Sequence, residues 1–209
     1  MNVTKGLFII SILAVAFLVG MPAWSDDSSL QKAEELNQEY NRLYRQGRYA
    51  EAIPYAEKAV TIYEKVLGPE HPDTATSLND MALLCHTMGA YDKAEPLYRR
   101  SLAIWEKALG PEHPRTAFAL NNLASLYKTM GAYDKAEPFY RRSLSIWEKI
   151  LGPEHPDTGL SLNNLASLYD SMGDYDKAEP LYRRSLAISE KALGPEHPRT
   201  ATTLSNLAG

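Results

Sequence analysis

Apolar side chains recur at helical spacing through most of this 209-residue chain. Leu78, Met81, Ala82 and Cys85 follow an i, i+3, i+4, i+7 pattern, which places them on one face of a helix. Proline suits the first position of a helix, and glycine commonly follows the last. The residues that flank this pattern therefore predict a helix, here called helix A, from about 72 to 88.

A second amphipathic pattern predicts a helix B, which ends at Gly110 and Pro111. Asp92 and Glu95 have the spacing of a capping box and are predicted to begin it. The apolar side of helix B comprises Ala94, Leu97, Tyr98, Leu102, Trp105 and Leu109. Such a helix pair has too little apolar surface facing inward to fold alone, so it needs neighbours to cover it.

The helix pair is repeated with a period of 42 residues. The motif Gly-Pro-Glu-His-Pro occurs once per period, beginning at Gly68, Gly110, Gly152 and Gly194. The three complete blocks share 31 or 32 of their 42 positions in each pairwise comparison. This period is typical of a stacked array of identical units. The chain divides into a divergent first unit at 26–67, three near-identical units at 68–193 and the start of a further unit at 194–209.

Residues 1–25 have the pattern of a secretory signal peptide. A short basic start contains Lys5, 14 mainly apolar residues follow from position 7, and small residues stand at positions 23 and 25. A membrane-spanning helix needs about 20 apolar residues, so cleavage is favoured over a retained anchor. The sequence therefore predicts an exported protein, periplasmic or secreted, with no membrane span after cleavage.

Composition excludes several classes of function. The chain has 22 Lys and Arg against 26 Asp and Glu, a formal net charge of −4, whereas nucleic-acid binding needs a clustered basic surface. The single cysteine, Cys85, excludes an intrachain disulfide and a cysteine-based zinc finger. Cys85 is either an unpaired thiol or, as its place on the apolar face favours, a small buried hydrophobic residue.

The sequence predicts no catalysis and no cofactor. It contains no Gly-rich phosphate-binding loop, no His-Glu-x-x-His and no Gly-x-Ser-x-Gly. One histidine occurs in each repeated motif, at His71, His113, His155 and His197. Packed helices lie about 10 Å apart and zinc ligands about 2 Å from the metal, so these histidines are not expected to share a metal. A role at the start of helix A is favoured for them.

The repeated residues resemble the tetratricopeptide repeat. Leu-x-Asn-Leu-Ala-x-Leu-Tyr, Gly-x-Tyr-Asp-Lys-Ala-Glu-Pro and Tyr-Arg-Arg-Ser-Leu occur in this order, and the period with its linker looks like the variety of kinesin light chains. The resemblance covers 30–209, with Cys85 departing from the tyrosine found at Tyr127. It implies an all-α fold, a right-handed α-solenoid of stacked antiparallel helix pairs. It also implies that the A helices line a concave groove for extended peptides or partner helices.

The polar arc of helix A faces this groove if the resemblance holds. The candidate peptide-binding residues on it are Asn79, Asn121, Asn122, Lys128, Asn163 and Asn164. A carboxamide both donates and accepts hydrogen bonds, and related repeats imply that the pairs at 121–122 and 163–164 clamp a peptide backbone. Alternatively, one asparagine of each pair ties helix A to its neighbour. Phe118 lies on the same arc, and packing between helices is favoured for it.

Arginines recur in two patterns. Arg115 and Arg199 stand where other A helices have Asp73 and Asp157, at a helix start that disfavours a base. We expect them to interact with acids of an adjacent loop, the alternative being an exposed position under weak constraint. Helix B carries paired arginines at 99–100, 141–142 and 183–184. Glutamates lie within reach of these pairs, which favours a solvated, salt-bridged face over an anion site.

Together these features predict an exported module that binds a protein or peptide segment in its concave groove. Two alternatives stay open at this point. In the first, the chain is the N-terminal part of a larger enzyme or signalling protein, for example one with a caspase-like domain. In the second, it is a structural stack that associates end to end. The last apolar face, with Leu204 and Leu207, has no following helix B in the sequence to cover it.

Overall fold

The computed structural model describes residues 23–208, which form nine α-helices joined by short loops. In chain order the helices are α1 (Ala23–Arg45), α2 (Tyr49–Val66), α3 (Pro72–Thr87), α4 (Tyr91–Leu109), α5 (Pro114–Thr129), α6 (Tyr133–Leu151), α7 (Pro156–Met172), α8 (Tyr175–Leu193) and α9 (Pro198–Ala208). Odd-numbered helices are A helices and even-numbered ones are B helices. The predicted signal peptide falls mainly on residues 1–22, which lie outside the described part of the chain.

A glycine in the left-handed region forms the tight turn that connects each complete A helix to its B helix. At Gly89 φ is 76°, a conformation that glycine adopts without steric cost. The Gly89 N–H donates to the His86 carbonyl at 3.0 Å, and the Ala90 N–H donates to the Cys85 carbonyl at 2.8 Å. This pair of bonds is the Schellman motif, and it reverses the chain direction within three residues.

Helix B begins earlier than a capping box requires, so that prediction is wrong. α4 starts at Tyr91 with Ala90 as its N-cap, and no side chain caps it. Asp92 is thus the second helical residue, where its charge suits the positive end of the helix dipole. Glu95 does not reach back to the helix start but accepts a hydrogen bond from the Tyr127 hydroxyl at 2.6 Å.

The histidine of each repeated motif caps the A helix that follows it, which confirms the predicted helix-start role. His71 Nδ1 accepts from the Asp73 N–H at 3.1 Å. The same contact recurs at His113, His155 and His197. The buried Thr74 hydroxyl donates to the Gly68 carbonyl at 2.9 Å, which ties the loop to the helix start.

The helix pairs stack into a solenoid, which confirms the predicted all-α fold class. Each A helix between the two ends packs on the B helix before it and the B helix after it. Buried alanines at matching positions allow the helices to approach closely, namely Ala82, Ala124 and Ala166 in A helices and Ala94, Ala136 and Ala178 in B helices. Successive A helices also touch directly, from α3 to α9. The A helices therefore form the inner face of the curve, and the B helices form the outer face.

The divergent first unit forms the same helical hairpin and is continuous with the repeats. α1 and α2 pack on each other through Ala33, Leu36, Ala59 and Tyr63. A second cluster of α1 and α2 residues includes Leu84 of α3. Because this cluster spans the first repeat interface, the first unit shares its core with the second.

Gly159 lies inside α7, where glycine destabilises a helix relative to alanine. Replacing Gly159 by alanine is therefore expected to raise the free energy of unfolding by about 1 kcal/mol. The added Cβ would lie 3.1 Å from Ile188 Cγ2. One repeat earlier, Ala117 and Ile146 occupy the same two positions, and both are buried. Guanidinium denaturation of Gly159→Ala measures the change. A loss of stability would mean that Ile188 cannot make room for the added methyl group.

Candidate functional site on the inner face

Asparagines on the A helices form hydrogen-bonded rungs across the repeat interfaces. Three rungs join Asn79 to Asn122, Asn121 to Asn164 and Asn163 to Asn206, with the later Nδ2 donating to the earlier Oδ1 at 3.0, 2.9 and 3.2 Å. The alternative interpretation, that one asparagine of each pair ties helix A to its neighbour, describes this kind of contact, although both members of each pair take part. Asn206 was not predicted, although it lies one period after Asn164 and the 42-residue repeat identifies it.

The rungs use only part of the hydrogen-bonding capacity of the carboxamides. A carboxamide has two N–H donors and an oxygen that accepts twice, and each rung engages one N–H and one acceptor position. Asn79 and Asn163 are buried, whereas Asn121, Asn122 and Asn164 are half-buried. The half-buried three are therefore within reach of a ligand. Buried Asn79 holds Asn122 in place, whereas Asn121 and Asn164 hold each other.

A second row of polar side chains crosses the interfaces further along the A helices. Lys128 Nζ donates to the Ser167 hydroxyl, and one period earlier His86 Nε2 lies 3.1 Å from Thr129 Oγ1. Burial lowers the pKa of both His86 and Lys128, while the charge of Asp170 acts in the opposite direction on Lys128. This repeat position thus carries a histidine, a lysine and an aspartate in successive units. It does not favour ligands of one particular charge.

Crevices open between successive A helices. One of about 230 Å³ lies between α7 and α9 and is lined by Ser189 of α8. Another of about 290 Å³ lies at the equivalent place between α1 and α3 and is lined by Tyr63 of α2. Trp105 and Trp147 stand at this same position in the two intervening repeats. The size of the residue at this one position therefore changes from repeat to repeat. In the last crevice, between α7 and α9, it is the small Ser189.

Two apolar side chains project from the inner face at the same repeat position. Phe118 is 48% exposed and Leu160 is 40% exposed. The packing role favoured for Phe118 is wrong, because nearly half of its surface is open. Leu83 instead packs against the core, and with His86 and Asn122 it lines a crevice of about 310 Å³ between α3 and α5.

The paired arginines of the outer face are neutralised by carboxylates, as predicted. The first arginine of each pair contacts the glutamate four residues earlier, in Arg99–Glu95, Arg141–Glu137 and Arg183–Glu179. The second contacts a glutamate of the preceding B helix, in Arg100–Glu64, Arg142–Glu106 and Arg184–Glu148. Helix spacing predicts the first set alone, since the second set depends on how the repeats stack.

A tyrosine joins the first set of pairs to the next A helix, and sequence reasoning did not predict this contact. The Tyr127 hydroxyl donates to Glu95 at 2.6 Å and accepts from Arg99 Nη2 at 2.5 Å. Tyr169 makes the same contacts with Glu137 and Arg141. These bonds hold the pKa of Glu95 below its usual range, whereas burial raises the pKa of Tyr169 to about 12.

Cys85 replaces the tyrosine in the first complete A helix, and its partners are replaced with it. Ile53 and Glu57 of α2 stand where Glu95 and Arg99 stand in α4. Cys85 is half-buried against the core, and burial raises the pKa of its thiol. The interpretation as a small hydrophobic residue fits this environment better than a reactive thiol does.

Arg115 and Arg199 reach back to the preceding A helix, which confirms the predicted pairing across repeats. Arg115 Nη1 lies 3.7 Å from Asp73 Oδ1 and donates to Thr76 Oγ1 at 2.8 Å. Arg199 Nη1 lies 3.3 Å from Asp157 Oδ1. The two acids belong to the first turn of an A helix rather than to a loop.

The described part of the chain lacks two other kinds of site. No three His, Cys, Asp or Glu side chains there are grouped so that they could hold a metal ion. None of the helices that the structure describes combines the length and hydropathy of a membrane-spanning segment.

Known proteins share both this sequence pattern and this fold. The family model of the tetratricopeptide repeat matches residues 43–107, 86–146, 124–191 and 171–209. Among curated proteins, none matches the chain. A protein of Podosopora anserina described as a kinesin light chain with nearly identical TPR-like repeats is 28% identical, with a TM-score of 0.73 over 86% of this chain and 85% of its own.

Two more distant structures show the same fold. BtubC (BKLC) from P. vanneervenii is 24% identical, with a TM-score of 0.72 over 88% of this chain and 79% of its own. A Rap protein complexed with Competence and Sporulation Factor is 16% identical, with a TM-score of 0.70 over 84% of this chain and 47% of its own. Since the family model covers the chain from residue 43 to its last residue, the chain belongs to the tetratricopeptide repeat family and is similar to its kinesin light chain members.

Proposed function

We propose that this chain binds an extended segment of a partner protein along its inner face. The observation that carries the proposal is the alternation on this face of exposed apolar side chains, Phe118 and Leu160, with half-buried asparagines and crevices. An extended peptide presents main-chain amides at regular intervals and side chains between them. The carboxamides of Asn121, Asn122 and Asn164 would pair with the amides, and the crevices would receive side chains.

The family supports a protein partner rather than a small substrate. Tetratricopeptide repeat proteins bind other proteins. The Rap protein, which has the same fold, is described as complexed with Competence and Sporulation Factor. The mixed charges of His86, Lys128 and Asp170 favour a ligand that is recognised by backbone and apolar contacts. No chemistry is needed for such a role, so we propose a module without catalytic activity.

Selection of a displayed peptide library on the purified chain tests this proposal. We expect enriched peptides that bind the parent and that lose at least about tenfold in affinity with Phe118→Glu or Leu160→Glu, because a buried unpaired charge is costly. Both residues are exposed, so neither substitution disturbs the core. Ile150→Glu is the matched control, since Ile150 is 40% exposed on a B helix. Equal binding by all three variants would place the ligand elsewhere, and a library without enriched peptides would contradict peptide binding.

We further propose that the protein is exported. The basic start, the apolar run and the small residues at 23 and 25 support this proposal. The N-terminal sequence of the protein recovered from its own cells outside the cytoplasm is expected to begin near Asp26. Recovery from the cytoplasm with an intact N-terminus would contradict export.

A further inference from the structure

The outer face carries a cleft that the proposed function does not use. It lies between α6 and α8 over α7 and measures about 480 Å³. Leu144, Leu165, Tyr169 and Leu181 form its apolar surface, while Glu148 and Lys177 are at its charged rim. We call it the outer cleft. Its volume is in the range of sites that accept a large side chain or a small molecule.

The preceding repeat has an aromatic ring in the corresponding place. There Phe139 lies against Tyr127 with the ring centroids 5.9 Å apart and an angle of 16° between the ring planes. Leu181 occupies the position of Phe139 one period later, beside Tyr169. The surrounding residues match in both repeats, including the arginine, lysine, proline and leucines at equivalent positions, except that Ser145 stands where the preceding repeat has Ala103. The outer cleft is therefore the environment of a phenyl ring from which the ring has been deleted.

The charges around the outer cleft favour a neutral ring over an anion. Lys177 Nζ lies 5.1 Å and Arg141 Cζ 5.8 Å from the centroid of the Tyr169 ring. Both cations are already paired, Lys177 with Asp174 and Arg141 with Glu137, and the Glu148 carboxylate is paired with Arg184. An anionic ligand would have to break one of the two cation pairs, and the Asp176 carboxylate, which also lines the cleft, would repel it. A neutral aromatic ring breaks none and adds a π-face for the two cations.

We propose that the outer cleft binds an aromatic side chain, phenylalanine or one of similar shape, presented by a partner protein. The ring packs against Leu144, Leu181 and Tyr169, in the region that Phe139 fills beside Tyr127. This site faces away from the inner face, so a partner bound there leaves the asparagine rungs free. The proposal does not depend on peptide binding by the inner face.

Methyl NMR of the full chain with N-acetyl-phenylalaninamide as probe tests the proposal. We expect saturable shifts of the Leu144 and Leu181 methyl groups, and a dissociation constant at least about fivefold higher for N-acetyl-leucinamide. Equal affinity for the two amides, or no saturable shift with the aromatic one, would overturn the proposal.

Two reciprocal variants then separate the outer cleft from other surfaces. Leu181→Phe supplies the missing ring and is expected to weaken probe binding at least about tenfold. Phe139→Leu deletes the ring of the preceding repeat and is expected to create a second site, doubling the number of probes bound. Each variant carries a residue that the equivalent position already has, so both are expected to fold. Unchanged binding by Leu181→Phe, or one site only in Phe139→Leu, would contradict the assignment.

Discussion

Replacing Trp105 by alanine is expected to lower the free energy of unfolding by about 3–5 kcal/mol, the cost of removing a large buried aromatic side chain. Trp105 is 2% exposed, and its Nε1 donates to the Pro72 carbonyl at 3.1 Å. The indole joins α4 to the start of α3, so its loss opens a cavity and removes a hydrogen bond together. Guanidinium denaturation followed by circular dichroism measures the change.

The repeats supply internal controls for this prediction. Trp147 is the same residue one period later but is only half-buried, so Trp147→Ala is expected to cost less, about 1–3 kcal/mol. Ser189 stands at this position in the last complete repeat, where a crevice replaces the indole. Ser189→Ala is expected to change stability by about 0.5 kcal/mol or less. Equal losses for Trp105→Ala and Trp147→Ala would mean that burial does not set the contribution of this position.

The fold followed from local patterns because each element is specified within a single repeat. Apolar spacing located the A helices, and the proline and glycine that flank them located their ends to within a residue or two, as α3 illustrates. The start of helix B was misplaced because the turn at Gly89 lets the helix begin at Tyr91, one residue before the predicted cap. Glu95, the other half of the predicted capping box, is engaged by Tyr127 of the next repeat. Contacts made in the neighbouring unit are not visible in the periodicity of one unit.

The inner face was predictable in composition but not in connectivity. A helical wheel placed the asparagines on one arc, yet it could not show that each asparagine bonds to one 43 residues away. The sequence did contain a signal for contacts between repeats. Cys85 replaces the repeat tyrosine, and in the same interface Ile53 and Glu57 replace the glutamate and the arginine that the tyrosine contacts in later repeats. Coordinated departures from a repeat therefore mark residues that meet across an interface.

Replacing Asp80 by asparagine is expected to raise the free energy of unfolding at pH 7.5 by about 1–3 kcal/mol, because a shift of one pKa unit corresponds to about 1.4 kcal/mol. Asp80 stands where Asn122, Asn164 and Asn206 form rungs, and burial raises the pKa of its carboxyl from 3.8 to about 6. Between these values the folded chain holds more protons than the unfolded chain, so stability falls as pH rises. The contribution of Asp80 is complete below pH 3.8 and is lost as pH rises through about 6.

The gain from Asp80→Asn is therefore expected at pH 7.5 and should nearly vanish at pH 4. The difference between variant and parent is the quantity to measure, because Glu95 and Glu137, whose pKa values are lowered by their hydrogen bonds, weaken the whole chain in acid. Asn122→Asp is the reciprocal control: it places a carboxyl in a rung whose amide donates to Asn79, and it should destabilise at pH 7.5 and recover at pH 4. A gain from Asp80→Asn that is the same at both pH values would show that the Asp80 carboxyl is hydrated. In that case an asparagine at this position stabilises the stack by hydrogen bonding alone, and not by keeping charge out of the interface between α1 and α3.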